Sequence, residues 1–133
     1  ARHRPPLPAL TTLALPYTFV IQGSFMPNAD EQFAGLRKGL LEFAILTIVS
    51  GRTVYVGDIL ASLAPTPFAT QEGTLYPLLS KLRREEWVDY QWVESGQGPP
   101  RKYYSLTDKG AVRLDELAAY WRHLTATLEG LGR

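Results

Sequence analysis

Side chains able to act as catalysts are few and scattered. Only two histidines occur, His3 in a proline-rich stretch and His123 on the polar side of a late helical pattern, and cysteine is absent. No hydroxyl stands beside a base that would activate it, and the aspartates and glutamates show no metal-ligand spacing. Gly96-Gln-Gly98 lies between two strand-like runs, not at a strand-to-helix turn, so it is no phosphate or dinucleotide loop. The sequence predicts no enzyme, no metal and no cofactor. The chemistry it does offer is a polar, cationic face: Thr74, Tyr76, Ser80, Lys81, Arg83 and Arg84, without a carboxylate until Glu85. Hydroxyls, a ring and cations on one helical face suit a phosphate-lined groove. The plainer alternative is the solvated face of an ordinary core helix.

The element that must carry this face runs from about Thr70 to Arg84. Thr70 has the hydroxyl expected at a helix start, and Leu75, Leu78, Leu79 and Leu82 recur on one face. Pro77 breaks a local rule by falling inside the helix, where it removes a hydrogen bond. The helix is expected to survive it, kinked or starting late. Before it, Val54 to Leu63 reads as a short helix with Val56, Ile59, Leu60 and Leu63 inward, ended by Pro65 and Pro67. Two helices joined by a tight turn form a helix-turn-helix.

Earlier still, the pattern predicts one helix from Asp30 to about Ser50, stopped by Gly51. Phe33, Leu36, Leu40, Phe43, Ala44 and Thr47 form one apolar row and Leu41, Ile45 and Ile48 a second. So broad an apolar surface implies burial on more than one side, with Phe33 and Leu36 candidates for a subunit interface. Arg37 and Lys38 remain on a polar stripe.

After Arg84, Trp87–Val93 and Arg101–Leu106 are β-branched and aromatic runs joined by Glu94-Ser-Gly-Gln-Gly-Pro-Pro100. They predict an antiparallel hairpin with a glycine tip. Beside a helix-turn-helix such a hairpin is a wing: Gly96 and Gly98 let backbone approach a phosphate, and Arg101 and Lys102 at its root neutralise charge. Thr107-Asp108 then opens a last helix to about Glu129. Its Leu114, Leu117, Trp121, Leu124, Leu128 and Leu131 step by three and four, a seam of about two and a half heptads. So long a helix has little core of its own left to cover, and the seam is expected to meet a second copy. Packing within the chain is the alternative.

The fold class expected is therefore mainly α with a β-hairpin wing (α+β): a winged helix-turn-helix over 30–107 and a dimerisation helix over 108–133. Residues 1–29 differ in kind, with prolines at 5, 6, 8 and 16 and no acid before Asp30. Met26, the only methionine, followed by Pro27, reads as a natural start, so residues 1–25 are expected to be an added extension or an apolar arm that packs on a partner. The basic start and apolar run of this segment faintly resemble a secretory signal, but the prolines and the missing cleavage site argue against one. No apolar run reaches the roughly 18 to 20 residues of a membrane span. A net charge of +1 excludes coating of nucleic acid by bulk charge, so any nucleic-acid site must be a local patch. Absent cysteine fits a reducing cytoplasm.

In order and spacing, several of these pieces resemble the PadR family of prokaryotic transcriptional regulators. They are Leu36-Arg-Lys-Gly-Leu40, Tyr55-Val-Gly-Asp-Ile59, Glu72-Gly-Thr-Leu-Tyr-Pro-Leu-Leu-Ser-Lys-Leu82, Gly98-Pro-Pro-Arg-Lys-Tyr-Tyr104 and Leu106-Thr-Asp-Lys-Gly110. The resemblance covers about residues 32 to 130. Val56 and Asp58 depart from the glycine and glutamate common in the family, and residues 1–25 have no counterpart. The single C-terminal helix resembles the smaller subfamily.

The resemblance implies a cytoplasmic homodimer that binds double-stranded operator DNA, usually as a repressor. Thr70, Gln71, Thr74, Tyr76 and Lys81 would face the major groove or its phosphates, with Gly96, Gly98, Arg101 and Lys102 serving the wing. Arg37 and Lys38 would add backbone contacts. Trp121 matches by position a tryptophan that lines a flat ligand pocket in some small PadR-like sensors. Two copies of it across a dimer axis would stack a small planar apolar effector, and such a ligand would shift the spacing of the winged helices. The rival reading is a winged-helix module that binds another protein and no specific DNA.

Overall fold

In the computed structural model the described residues are 20–21, 24–25 and 29–133, with side chains described from Glu31 on. The two expectations for residues 1–25 therefore lie outside the described residues, apart from two short strands. These are β1 (Val20–Ile21) and β2 (Ser24–Phe25), paired antiparallel. The chain divides into two compact units, residues 1–34 and 35–133. The first holds β1, β2 and α1 (Ala29–Gln32). The second holds the elements from α2 onward.

The single helix expected from Asp30 to Ser50 is instead three: α1, α2 (Ala34–Gly39) and α3 (Leu41–Gly51). Gly35 and Gly39 weaken the middle piece, because glycine loses the most backbone freedom in a helix. At the second break the Leu40 N–H turns back to Arg37 O at 3.0 Å, a tighter i−3 bond, and Leu40 sits at φ −101°, ψ −1°. Gly51 is not the stop; it is the last helical residue, and Arg52 turns fully extended. The deeply buried row of α3 is Ile45, Leu46 and Val49, with Phe43, Ala44 and Ile48 only half-buried beside it.

Residues 54 and 55, expected to be helical, form β3 (Val54–Tyr55), and the helix α4 begins after them (Val56–Leu63). Val54 and Tyr55 pair with Tyr104 and Tyr103 of the strand Arg101–Leu106. Side chains of the types that favour pleated backbone win here, since the partner strand sits close by. The Asp58 carboxylate then accepts from the Tyr55 N–H at 3.3 Å and closes the first turn of α4.

Helix α5 (Glu72–Arg84) buries Leu75, Leu79 and Leu82 completely, as the leucine spacing requires. Thr70 does not cap it. Gln71 holds the extended cap position, with no side-chain bond to the helix. Pro77 leaves the helix unbroken; three buried leucines outweigh one lost hydrogen bond. The end of α5 is a left-handed turn at Glu86 (φ 65°), where Glu86 N–H donates to Arg83 O at 2.8 Å and Trp87 N–H to Leu82 O at 3.0 Å.

Strands β4 (Val88–Val93) and β5 (Arg101–Leu106) make the expected hairpin, in register from Val88↔Leu106 to Val93↔Arg101. With β3 they give a three-stranded antiparallel sheet in the order β3-β5-β4. Helix α6 (Asp108–Leu131) is as long as expected and two residues more. The Thr107 hydroxyl accepts from Gly110 N–H at 2.9 Å and donates to Glu86 O at 2.6 Å, tying the helix start to the end of α5. Gly110 is required here: a Cβ on it would lie 1.9 Å from Trp87 O. This close approach lets the first turns of α6 settle on the core, where Leu114 and Leu117 pack. The seam is thus used within the chain over its first half and is exposed from Trp121 onward, at 37%, 36%, 67% and 77% for Trp121, Leu124, Leu128 and Leu131.

Candidate nucleic-acid interface

The core itself decides where chemistry is possible. Among the described residues every buried side chain is apolar except the Tyr104 phenol, whose pKa burial pushes up. Among the described residues no group of His, Cys, Asp and Glu is placed to hold a metal.

The surface of α5 follows from its leucines. At about 100° per residue, the side opposite Leu75, Leu79 and Leu82 carries Gly73, Pro77, Ser80 and Arg84. Tyr76 and Arg83 lie on the flank toward the wing, Thr74 and Lys81 on the flank toward α3. A cleft of about 330 Å³ opens between the Tyr76 flank and the wing, lined by Tyr55, Gly57, Glu72, Tyr76, Trp92, Pro100, Arg101 and Lys102 among others.

Both wing cations in this cleft rest on aromatic rings. The Arg101 guanidinium lies 4.4 Å from the Tyr55 ring centroid, and Lys102 Nζ lies 4.4 Å from that of Tyr90 and 5.4 Å from that of Trp92. The rings are themselves held: Tyr55 against Tyr103 at 5.5 Å, Tyr90 against Tyr104 at 5.5 Å and Trp92 at 6.1 Å. Gly57 makes room for the first ring, since a Cβ there would stand 2.6 Å from it. Ring faces hold a cation in place without neutralising it. Neither cation is ion-paired to a carboxylate among the described residues.

The wing tip beyond them is exposed from Glu94 to Pro100. Gly96 takes a left-handed φ of 76°, and the Ser95 hydroxyl donates to Gly98 O at 3.2 Å, which curls the tip. Gly98 shows no such φ, so its place at the tip rests on its exposure.

Of the residues singled out from sequence, Tyr76, Arg101 and Lys102 are thus brought together. Gln71 and Thr74 are exposed at the start of α5, and Thr70 is half-buried in the turn before it. Lys81 is not in the cleft: its ammonium is ion-paired with Glu42 of α3. Arg37 and Lys38 stand on α2 and do not line the cleft either. Sequence reasoning passed over Tyr55 and Trp92 as part of this site. An exposed Trp92 two residues from Tyr90 on a strand was a visible signal, because alternate residues share a face.

A second concavity, of about 420 Å³, lies on the opposite kind of surface. Leu40, Phe43, Ala44, Ile48, Leu63, Phe68 and Trp121 line it, with Thr47, Ser62 and Thr66 as its few hydroxyls. Trp121 therefore does border an apolar hollow, formed with α3.

The model for the PadR-like family of transcriptional regulators matches residues 45–116, which span α3 to the middle of α6. The chain belongs to that family. Solved PadR-like structures agree over most of their length. A PadR-like transcription factor from Bacteroides fragilis is 42% identical, with 76% of this chain and 98% of that one covered at a TM-score of 0.67. A PadR-like regulator from Bacillus cereus is 36% identical, covering 73% and 95% at a TM-score of 0.66. A PadR family regulator from Eggerthella lenta is 31% identical, covering 76% and 88% at a TM-score of 0.70. PadR membership makes this chain a DNA-binding regulator and not an enzyme, with a winged-helix fold and a long C-terminal helix. No helix among the described residues is long and apolar enough to cross a membrane.

Proposed function

We propose that this PadR-like chain is a homodimeric, cytoplasmic repressor of operator DNA. Helix α5 enters the major groove with Gln71, Thr74 and Tyr76 leading, and the wing lays Arg101 and Lys102 on the adjoining backbone. Gly96 and Gly98 let the tip come close to a phosphate. Thr70 sits at the edge of this surface, and Arg37 and Lys38 add phosphate contacts from α2. The observation that carries the reading is the pair of wing cations, ordered by rings, unneutralised and facing Tyr76 across a cleft. Helix–base contacts set specificity while such cations set affinity.

The dimer axis lies along the exposed half of the α6 seam, Trp121, Leu124 and Leu128, with Leu114 and Leu117 backing it from the core and Leu36 contributing exposed apolar area. A two-fold dimer presents two copies of α5 to paired half-sites. A small planar apolar effector suits the hollow beside Trp121, whose lining is almost wholly apolar. Filling it releases the operator by favouring a different spacing of the two winged helices.

Selection of bound fragments from sheared genomic DNA tests the reading. Recovery of one or a few upstream regions sharing an inverted repeat supports it. Recovery of fragments without a common sequence, while the dimer remains intact, points instead to a winged helix that serves a protein partner.

A further inference from the structure

Three cations stand near the end of α5, and two are already engaged by carboxylates of neighbouring elements. Lys81 Nζ pairs with Glu42 of α3. Arg83 Nε donates to Asp89 Oδ1 at 3.2 Å, and its guanidinium lies 4.4 Å from the Tyr90 ring centroid. Asp89 Oδ1 also accepts the Tyr90 N–H at 2.8 Å, so this carboxylate is fixed by its own strand. The two pairs sit on opposite flanks of the outward row of α5, Lys81–Glu42 toward α3 and Arg83–Asp89 toward the wing. Arg84, on the outward row itself, has no such pair among the described residues. The contrast with Arg101 and Lys102, which rest on rings, is one of charge: a ring orders a cation and leaves it charged, whereas a carboxylate cancels it.

Both pairs are half-exposed, at 49% and 25% for Lys81 and Glu42 and 52% and 63% for Arg83 and Asp89. Exposed pairs of this kind add little to folding. Their effect on an approaching polyanion is larger. A phosphate reaching either flank of α5 meets a neutralised cation and a negative charge beside it.

We infer that Glu42 and Asp89 mask Lys81 and Arg83 from DNA phosphates and so set how many phosphates α5 neutralises. The inference rests on α5 being the DNA-contacting helix. A masked flank keeps attachment to arbitrary DNA weak, because phosphate contacts act on every sequence alike. It accords with a chain whose net charge is only +1.

Glu42→Gln and Asp89→Asn test it, since each keeps the acceptor oxygen and removes the charge. Anisotropy is read over a salt series with operator and with scrambled DNA of equal length. Each variant is expected to steepen the plot of log affinity against log salt by about 0.9, one released counterion per added phosphate. Affinity should rise about two- to fivefold for both DNAs, the size of a surface ion pair. Adding Lys81→Met should abolish the gain of Glu42→Gln and leave that of Asp89→Asn. Unchanged or weaker binding at an unchanged slope, for both variants at normal melting temperature, overturns the masking. If the wild-type chain shows no salt-dependent DNA binding at all, the DNA reading fails first and the masking with it.

Discussion

The cleft beside the wing and the hollow beside Trp121 are of similar size, about 330 and 420 Å³, and of opposite character. In the cleft, cations lie on tyrosine and tryptophan faces, and each ring is held by another ring of the same sheet. In the hollow, three helices and a turn leave leucine, phenylalanine and tryptophan without a cover. A charged, rigid surface recognises a charged, rigid partner; an apolar one gains from any partner that removes it from water. One small core thus presents two surfaces with separate physics. Substitutions on one should leave the other working.

The largest expected effect removes that separation. Gly110 lets α6 approach the strand after α5, and α6 borders the hollow while that strand carries the wing. Gly110→Ala forces a methyl into Trp87 O and should cost about 3 kcal/mol by denaturant unfolding, as overpacking does at its upper range. A cost under about 1 kcal/mol would mean that α6 is not seated there.

Next in size is the charge reversal Lys102→Glu. It should weaken DNA binding about a hundredfold near 0.1 M salt and lower the salt slope by about one, with melting temperature and self-association unchanged. The mirror experiment is Trp121→Ala. Sedimentation should show self-association weakened by roughly tenfold or more, the scale of a buried aromatic at an interface, while the cleft keeps its salt slope. If Lys102→Glu dissociates the dimer instead, the two surfaces are not independent.

Smaller still is Glu86→Gly. Glu86 has a left-handed φ of 65°, and its ion pair with Lys109 is exposed on both sides. Relief of that backbone should stabilise the fold by about 0.5 to 1 kcal/mol, with no change at either surface. The smallest effect is acidic. The Tyr90 N–H, and then Arg83, hold the Asp89 carboxyl below its ordinary 3.8. A lowered folded pKa gives stability that is present above 3.8 and lost as pH falls through the lower folded value. Asp89→Asn should therefore flatten the stability profile only below about pH 4.

What the sequence revealed and what it hid divide along sequence distance. The leucines of α5, the strands of the hairpin and the Thr107 cap are local patterns, and each of these elements formed within about two residues of where its pattern places it. The two-residue strand β3 exists only because Tyr103 and Tyr104 come alongside from some fifty residues away, so Val54 and Tyr55 read as a helix start. That Lys81 pairs with a carboxylate was hidden because Glu42 is 39 residues distant. The breaks at Phe33 and Leu40 had a local signal in Gly35 and Gly39, but the apolar steps across them kept a helical period. The family motifs pointed to the wing, and Tyr90 and Trp92 were within reach of strand periodicity; the Tyr55 ring under Arg101 appeared only in three dimensions.

One measurement bears most directly on the claim that the ring-supported cleft is a DNA surface. Fluorescence anisotropy would follow the wild-type chain on the DNA upstream of its own gene and on a scrambled control, from low to high salt. Tighter binding to the native sequence is expected, weakening steeply with salt, with loss of that slope in an Arg101→Glu, Lys102→Glu double variant. Equal, weak binding to both DNAs, with a slope that the double variant leaves untouched, would contradict it.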